Sequence, residues 1–343
     1  MFKKLLLNIL LLTLLATPNL GIDILGGGAT FPYPLYRKLF NQYEAKTGVS
    51  IQYLGIGSGK GYTQFLDNSI DFAGTDMFFN DELIEDLDRD VIHIPTCLGG
   101  VAITYNLPGA PNLNLSSDII SDIFTGKITK WNDPKIEKIN PAITLPDMYI
   151  VVVHRSDISG TTYILTEFLT KTNDYWKENI GITPQLQWPT GVGTQGNLGV
   201  SKLVQQISGS ITYQELVHAL SNKISVAHIQ NKKGNYIKPT LNSISLSGNT
   251  KISKDTRVSL VNTDAKNGYP ISSFTWLVVN KEQNYNGRTK AQAQQLKDLL
   301  WWLTHEGQSI IENKGYSKLH KSVVKKVEAN LKTITYNGKP LSN

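Results

Sequence analysis

Three short stretches of this 343-residue chain set a hydroxyl among glycines at or just ahead of a helical pattern. Thr30 follows Gly26-Gly27-Gly28-Ala29, Ser58 lies within Gly55-Ile56-Gly57-Ser58-Gly59-Lys60-Gly61, and Ser159 and Thr161 flank Gly160. The first N–H groups of a helix have no internal carbonyl partner, and the helix dipole makes that end electropositive. Hydroxyls and free amides aimed at one point therefore make an anion site. Each taken singly is equally well a helix cap, because Ser and Thr cap helices in every fold. Together they point to an anion provided the fold brings them to one place.

Arg155 stands just before the third turn. A guanidinium can grip a tetrahedral oxyanion with two parallel N–H bonds. Asp157, two residues on, can orient that guanidinium, although an exposed Arg–Asp pair worth under about 1 kcal/mol is an equal alternative. Asp76 ends the segment Asp71-Phe72-Ala73-Gly74-Thr75-Asp76. An acid beside an anion makes sense when the ligand carries a proton that the carboxylate can accept. Phosphate near neutral pH carries one. Sulfate does not, and would set its oxygen lone pairs against those of the carboxylate, an asymmetry able to discriminate strongly. On the residues alone, a turn-capping aspartate is the simpler reading of Asp76.

Other chemistries find little support. The glycine loop around Lys60 has the wrong spacing for a phosphate-cradling Walker motif, and Gly61 stands where Ser or Thr is needed. Gly191-Val192-Gly193-Thr194-Gln195-Gly196 matches G-x-G-x-x-G but follows Trp188-Pro189 rather than a clear strand, and no suitably placed acid supports a dinucleotide. There is no G-x-S-x-G elbow or H-E-x-x-H helix, and the six histidines are scattered. Cys97 is the sole cysteine; its apolar neighbours predict a packed thiol in a buried strand. The expectation is no metal, no cofactor and no catalytic residue.

The elements that must position these residues recur as strand, glycine-rich turn, helix. Ile22 to Leu25 reads as a strand before the first turn, and Leu35, Tyr36, Leu39, Phe40 and Tyr43 fall at helical spacing after it, with Gly48 closing the helix. Val49 to Leu54 leads to the second turn and a helix through Phe65 and Leu66. Tyr149 to His154 leads to the third turn and a helix carrying Ile164, Leu165, Phe168 and Leu169. Strands alternating with helices predict an α/β fold whose ligands bind beyond the carboxyl ends of the strands. Ala291 to Leu331 reads as helical, with Trp301 and Trp302 packing inward.

Length suggests about two domains. The N-terminus has the form of an export signal over residues 1–21: a basic start at Lys3-Lys4 and a short apolar run from Leu5 to Leu15, with Ala16 or Gly21 as cleavage points and an uncleaved anchor as the alternative. No later segment is apolar enough to span a bilayer. The formal charge is +6, and loss of the two signal lysines leaves 32 basic against 28 acidic residues. That excess favours anions weakly. The densest cluster, Lys314, Lys318, Lys321, Lys325 and Lys326, reads as a solvated helix face, without the aromatic interleaving of a nucleic-acid surface.

The motifs GGGATFPYP from Gly26, YLGIGSGKG from Tyr53, DFAGTD from Asp71, IFTGKITKWN from Ile123 and RSDISGT from Arg155, taken in this order, give the chain a resemblance to the periplasmic phosphate-binding proteins of Pst-type ABC transporters. The resemblance implies a two-lobed periplasmic-binding-protein fold, with a mixed sheet in each lobe and the ligand in the cleft between them. Residues 22–102 and 271–343 would form lobe one and residues 103–270 lobe two. It implies that Thr30, the Phe31 backbone, Ser58, Asp76, Arg155, Ser159, Gly160 and Thr161 bind phosphate, with Asp157 supporting Arg155. It further implies a periplasmic, monomeric, non-enzymatic protein that serves the permease and ATPase subunits of an importer. A secreted phosphomonoesterase and a binder of another oxyanion are the alternatives. The chain departs from the family pattern at Lys60, His154 and Ile158, and matches it poorly from Val217 to Asn267.

Overall fold

The computed structural model describes residues 23–342; the expected export signal lies outside them. In chain order the elements that build the site are β1 (Ile24–Gly28), α1 (Tyr33–Thr47), β2 (Ile51–Gly55), α2 (Ser58–Leu66), β3 (Phe72–Thr75), β4 (Val91–Tyr105), β5 (Val151–Arg155), α3 (Gly160–Thr172), β6 (Val192–Thr194), α4 (Gly196–Gln206), β7 (Ser210–Glu215), α5 (Leu216–Ser221) and β8 (Ser272–Asn280). Two helices, α6 (Lys290–Thr304) and α7 (Lys321–Leu331), follow near the C-terminus.

The main sheet is mixed and runs β2-β1-β3-β8-β4-β7-β5-β6. Its first half pairs β1 in parallel with β2 and β3; its second pairs β5 in parallel with β7 and β6. The halves meet on one long strand. Residues 91–100 of β4 pair antiparallel with β8, and Val101–Tyr105 pair antiparallel with β7. All of β4 beyond Val91 is buried, Cys97 included. Burial pushes the Cys97 thiol well above its ordinary pKa, so it is a packed hydrophobe and not a poised nucleophile. Pro95 interrupts the donor pattern of β4, and opposite it the register slips between Thr275 and Trp276, a bulge that re-aims the side chains beside it.

The first strand is longer than the apolar run predicts. Gly26, Gly27 and Gly28 continue β1 rather than forming a turn. The reason is close packing: a β-carbon on Gly26 would fall 2.1 Å from the Phe72 ring, and Gly28, at φ 135°, lies against the Gly74 carbonyl. The turn is confined to Ala29–Pro32, and Pro32 precedes α1 without a side-chain cap. The C-terminal region is likewise not one helix; α6 ends at Thr304, and short helical turns and a loop separate it from α7. Trp302 packs inward on Tyr43, whereas Trp301 stays partly exposed and stacks on His305. The lysine cluster is partly to fully exposed on and before α7. No helix among the described residues is long and apolar enough to cross a membrane.

Candidate functional site

The three hydroxyl-bearing turns converge where the two halves of the sheet face each other. Ser58 is the first residue of α2, with Gly57 ahead of it, and its hydroxyl caps nothing. Instead Ser58 Oγ accepts the Gly160 N–H at 3.3 Å, joining the start of α2 to the start of α3. A second backbone bond, Gly59 N–H to Ile158 O at 3.2 Å, runs alongside. Asp76 closes the group: a β-carbon on Gly160 would stand 2.9 Å from Ser58 Oγ and 3.0 Å from Asp76 Oδ2. Ser58, Asp76 and Gly160 are therefore packed closely against one another. Ser159, just before Gly160, is the N-cap of α3, its Oγ accepting the Thr162 N–H at 3.1 Å. The Thr161 N–H, second in the helix, has no carbonyl of its own helix to reach.

Thr30 lies three residues ahead of α1, free of capping duty. Among the described residues the Phe31 N–H has no hydrogen-bond partner, while the Phe31 carbonyl is held by the Tyr316 hydroxyl at 2.7 Å. The buried Phe31 ring abuts Gly99, where a β-carbon would come within 2.3 Å. That packing fixes the peptide and leaves its N–H presented.

Arg155, at the end of β5, is 3% exposed. Its Nε donates to Asp157 Oδ1 at 2.7 Å and its Nη2 to Asp157 Oδ2 at 2.5 Å, a bidentate pair that fixes the guanidinium plane. Nη1 is left to reach Thr161 Oγ1 at 3.4 Å. The even choice between an exposed pair and an oriented guanidinium thus resolves to a buried, oriented one.

Asp76 is 2% exposed. Its Oδ1 accepts the Thr275 hydroxyl at 2.7 Å, and its Oδ2 makes no hydrogen bond among the described residues. Burial pushes the carboxyl up to about 7; the Thr275 hydroxyl and the Arg155 charge act in the opposite sense. Asp76 is therefore no turn cap but a buried acid poised between its two protonation states near neutrality.

Several participants escaped sequence reasoning. Asn197, fully buried at the start of α4, donates its backbone N–H and its Nδ2 to Thr30 Oγ1, each at 3.0 Å, and Nδ2 also to Thr161 Oγ1 at 3.2 Å. The Gly196 N–H donates to Asp157 Oδ1 at 3.2 Å. The G-x-G-x-x-G loop, set aside as a poor dinucleotide motif, is β6 and the start of α4, a fourth glycine-to-helix turn facing the other three. The same signal marks all four. His218 on α5 lies 3.2 Å from the Thr30 carbonyl, so its Nε2 carries the proton; burial lowers its pKa to about 4 and keeps the ring neutral. The Tyr213 hydroxyl accepts the Arg155 N–H at 3.2 Å and bonds Thr162 Oγ1 at 2.7 Å, bracing the strand that carries the guanidinium. Among the described residues no group of three or more His, Cys, Asp or Glu is placed to hold a metal ion.

In front of this cluster lies an open hollow of ≈ 430 Å³, lined in part by Thr30, Lys60, Asp157, Gly196 and Lys202. The arrangement offers an anion several N–H and O–H donors, one guanidinium and a single acceptor, Asp76 Oδ2.

A family model described as a PBP superfamily domain matches residues 16–306. The phosphate-binding protein PstS of Pasteurella multocida (strain Pm70) is 35% identical over 338 residues, covering 97% of this chain and 96% of that protein. PstS of Xylella fastidiosa (strain Temecula1 / ATCC 700964) is 36% identical over 315 residues, covering 90% and 84%. Among solved structures, a high affinity periplasmic phosphate-binding protein (PfluDING) bound with phosphate at pH 8.5 matches with a TM-score of 0.74 at 23% identity, covering 90% of this chain and 93% of that one. At that identity the likeness speaks for the fold, two-lobed and of the periplasmic-binding-protein type. With relatives this similar along nearly its whole length, the chain belongs to the PstS family of phosphate-binding proteins.

Proposed function

We propose that this protein captures inorganic phosphate between its two lobes in the periplasm and delivers it, without turnover, to the permease and ATPase subunits of an ABC importer. The lobes in this reading are residues 22–102 with 271–343, and residues 103–270. The anion lies among the Thr30 hydroxyl, the Phe31 N–H, Ser58, Arg155 and the start of α3 at Ser159, Gly160 and Thr161. Asp157 holds the guanidinium, and Asp76 accepts the proton that phosphate carries. The observation that carries the reading is Asp76 Oδ2, on a side chain that is 2% exposed, an acceptor with no hydrogen-bond partner among the described residues, beside the Ser58–Gly160 junction. A site of donors with one buried acceptor suits a partly protonated tetrahedral anion and penalises one that brings no proton.

Calorimetry of the mature protein, stripped of ligand and titrated with phosphate and then sulfate at pH 7.5, tests this. Phosphate is expected to bind at least about a thousandfold more tightly than sulfate. Equal affinities remove the role of Asp76, and no heat with phosphate removes the reading altogether.

A further inference from the structure

The Asn197 amide stands between hydroxyls of the two lobes and uses every polar atom it has. Its Oδ1 accepts the Glu215 N–H at 2.9 Å. A backbone N–H can only donate, so this bond fixes which end of the amide carries nitrogen. The two hydrogens on Nδ2 then go to Thr30 Oγ1 at 3.0 Å and Thr161 Oγ1 at 3.2 Å. The Asn197 backbone N–H adds a second donor to Thr30 Oγ1 at 3.0 Å.

A threonine hydroxyl has two lone pairs and one hydrogen. On Thr30 both lone pairs receive N–H groups of Asn197, so its own hydrogen must point to some other acceptor. On Thr161 the lone pairs face Asn197 Nδ2 and, at 3.4 Å, Arg155 Nη1, with the same consequence. We infer that Asn197 is a positioning residue that turns the Thr30 and Thr161 hydroxyls, one on each lobe, into obligate donors to the bound anion while tying the lobes together. The inference rests on the cleft being a phosphate site. It adds that donor polarity there is imposed from behind, by a residue that need not touch the ligand.

Asn197→Asp is nearly isosteric and replaces the directing donor by an acceptor. Both hydroxyl hydrogens then turn back toward the carboxylate, and the site gains a negative charge. At pH 8 phosphate affinity is expected to fall at least about a hundredfold relative to the native protein, since hydrogen bonds to a charged group are worth about 1.5–3 kcal/mol each. As pH falls toward 5 the new carboxyl protonates and regains a hydrogen to donate, so the native-to-variant ratio of affinities shrinks. The added charge by itself gives a trend of the same sign, so the directing role is separated from it by the uncharged variants.

Asn197→Ala and Thr30→Val, singly and combined, supply a second measurement that survives misfolding of the aspartate variant. If Asn197 acts through the two hydroxyls, the double variant loses clearly less than the sum of the single losses, what remains of the Asn197 effect being the share that runs through Thr161. Additive losses, or a pH-independent ratio in the aspartate variant, overturn the inference. Native protein that gives no heat with phosphate defeats the binding reading instead, and native binding matched by Asn197→Asp at pH 8 defeats the positioning role alone.

Discussion

Asp76 is a buried acid of the site whose protonation state bears on the stability of the unliganded protein. Its carboxyl, ordinarily near 3.8, is pushed up to about 7 because burial penalises the charged form more than Thr275 and Arg155 relieve it. Between those two values the folded chain holds a proton that the unfolded chain releases. Asp76 therefore contributes stability in full below about pH 4 and loses it as pH rises through about 7. A shift of this size amounts to a few kcal/mol, with each unit worth about 1.4 kcal/mol. Asp76→Asn keeps the shape and removes the titration. In phosphate-free buffer its melting temperature is expected to exceed that of the native protein by more at pH 8 than at pH 5, by several degrees. His218 titrates in both proteins, and Glu215, raised in part by the Asp76 charge, moves the difference in the same sense. Thermal melts at the two pH values decide it, and a difference that does not vary with pH rules out the buried, proton-sharing acid.

Helix starts are the elements on which the site depends, and Gly160 shows how little room they leave. A β-carbon there would lie 2.8 Å from the Asp76 β-carbon and 2.9 Å from Ser58 Oγ, so α3 could not approach α2 as closely. Overpacking of this kind costs about 1–3 kcal/mol. Gly160→Ala is accordingly expected to weaken phosphate binding about tenfold to a hundredfold by calorimetry; native affinity in that variant would mean the anion sits elsewhere. Much of this was legible in the chain. The strand–glycine–helix repeats mark Thr30, Ser58 and Ser159–Thr161, because close backbone approach and free helix N–H groups both leave a local sequence trace. What was not legible depends on long-range register. Thr275 meets Asp76 because β8 pairs antiparallel with β3 in a register that sets Trp276 opposite Thr75, two strands brought together from far apart in sequence. Asn197 carried the right local signal, but its loop matched a dinucleotide motif and was weighed as that. Gly26–Gly28 looked like a turn and proved a strand, since the Phe72 ring that demands glycine there arrives from β3.

At the scale of the whole molecule, the lobes meet through hydrogen bonds that include Asn197 N–H to Thr30 Oγ1, Gly160 N–H to Ser58 Oγ and Gly59 N–H to Ile158 O, and both pair with strand β4. The open hollow in front of the cluster is lined by Lys60 on α2 and Lys202 on α4, and in the proposed reading an arriving anion passes between them. Both lysines are exposed, and among the described residues neither has a carboxylate within salt-bridge distance. Two unneutralised ammonium groups at the mouth raise the local anion concentration and steer encounters, an effect that salt screens over about 10 Å at 0.1 M. They stand outside the buried cluster, so they act on arrival more than on residence. The paired change Lys60→Gln with Lys202→Gln is expected to slow phosphate association severalfold at low ionic strength and to flatten its salt dependence, with the dissociation rate nearly unchanged. Stopped-flow measurement of intrinsic fluorescence over a salt series resolves the two rates. An unchanged association rate excludes steering at the mouth, whereas a faster dissociation rate would make the lysines part of the closed site itself.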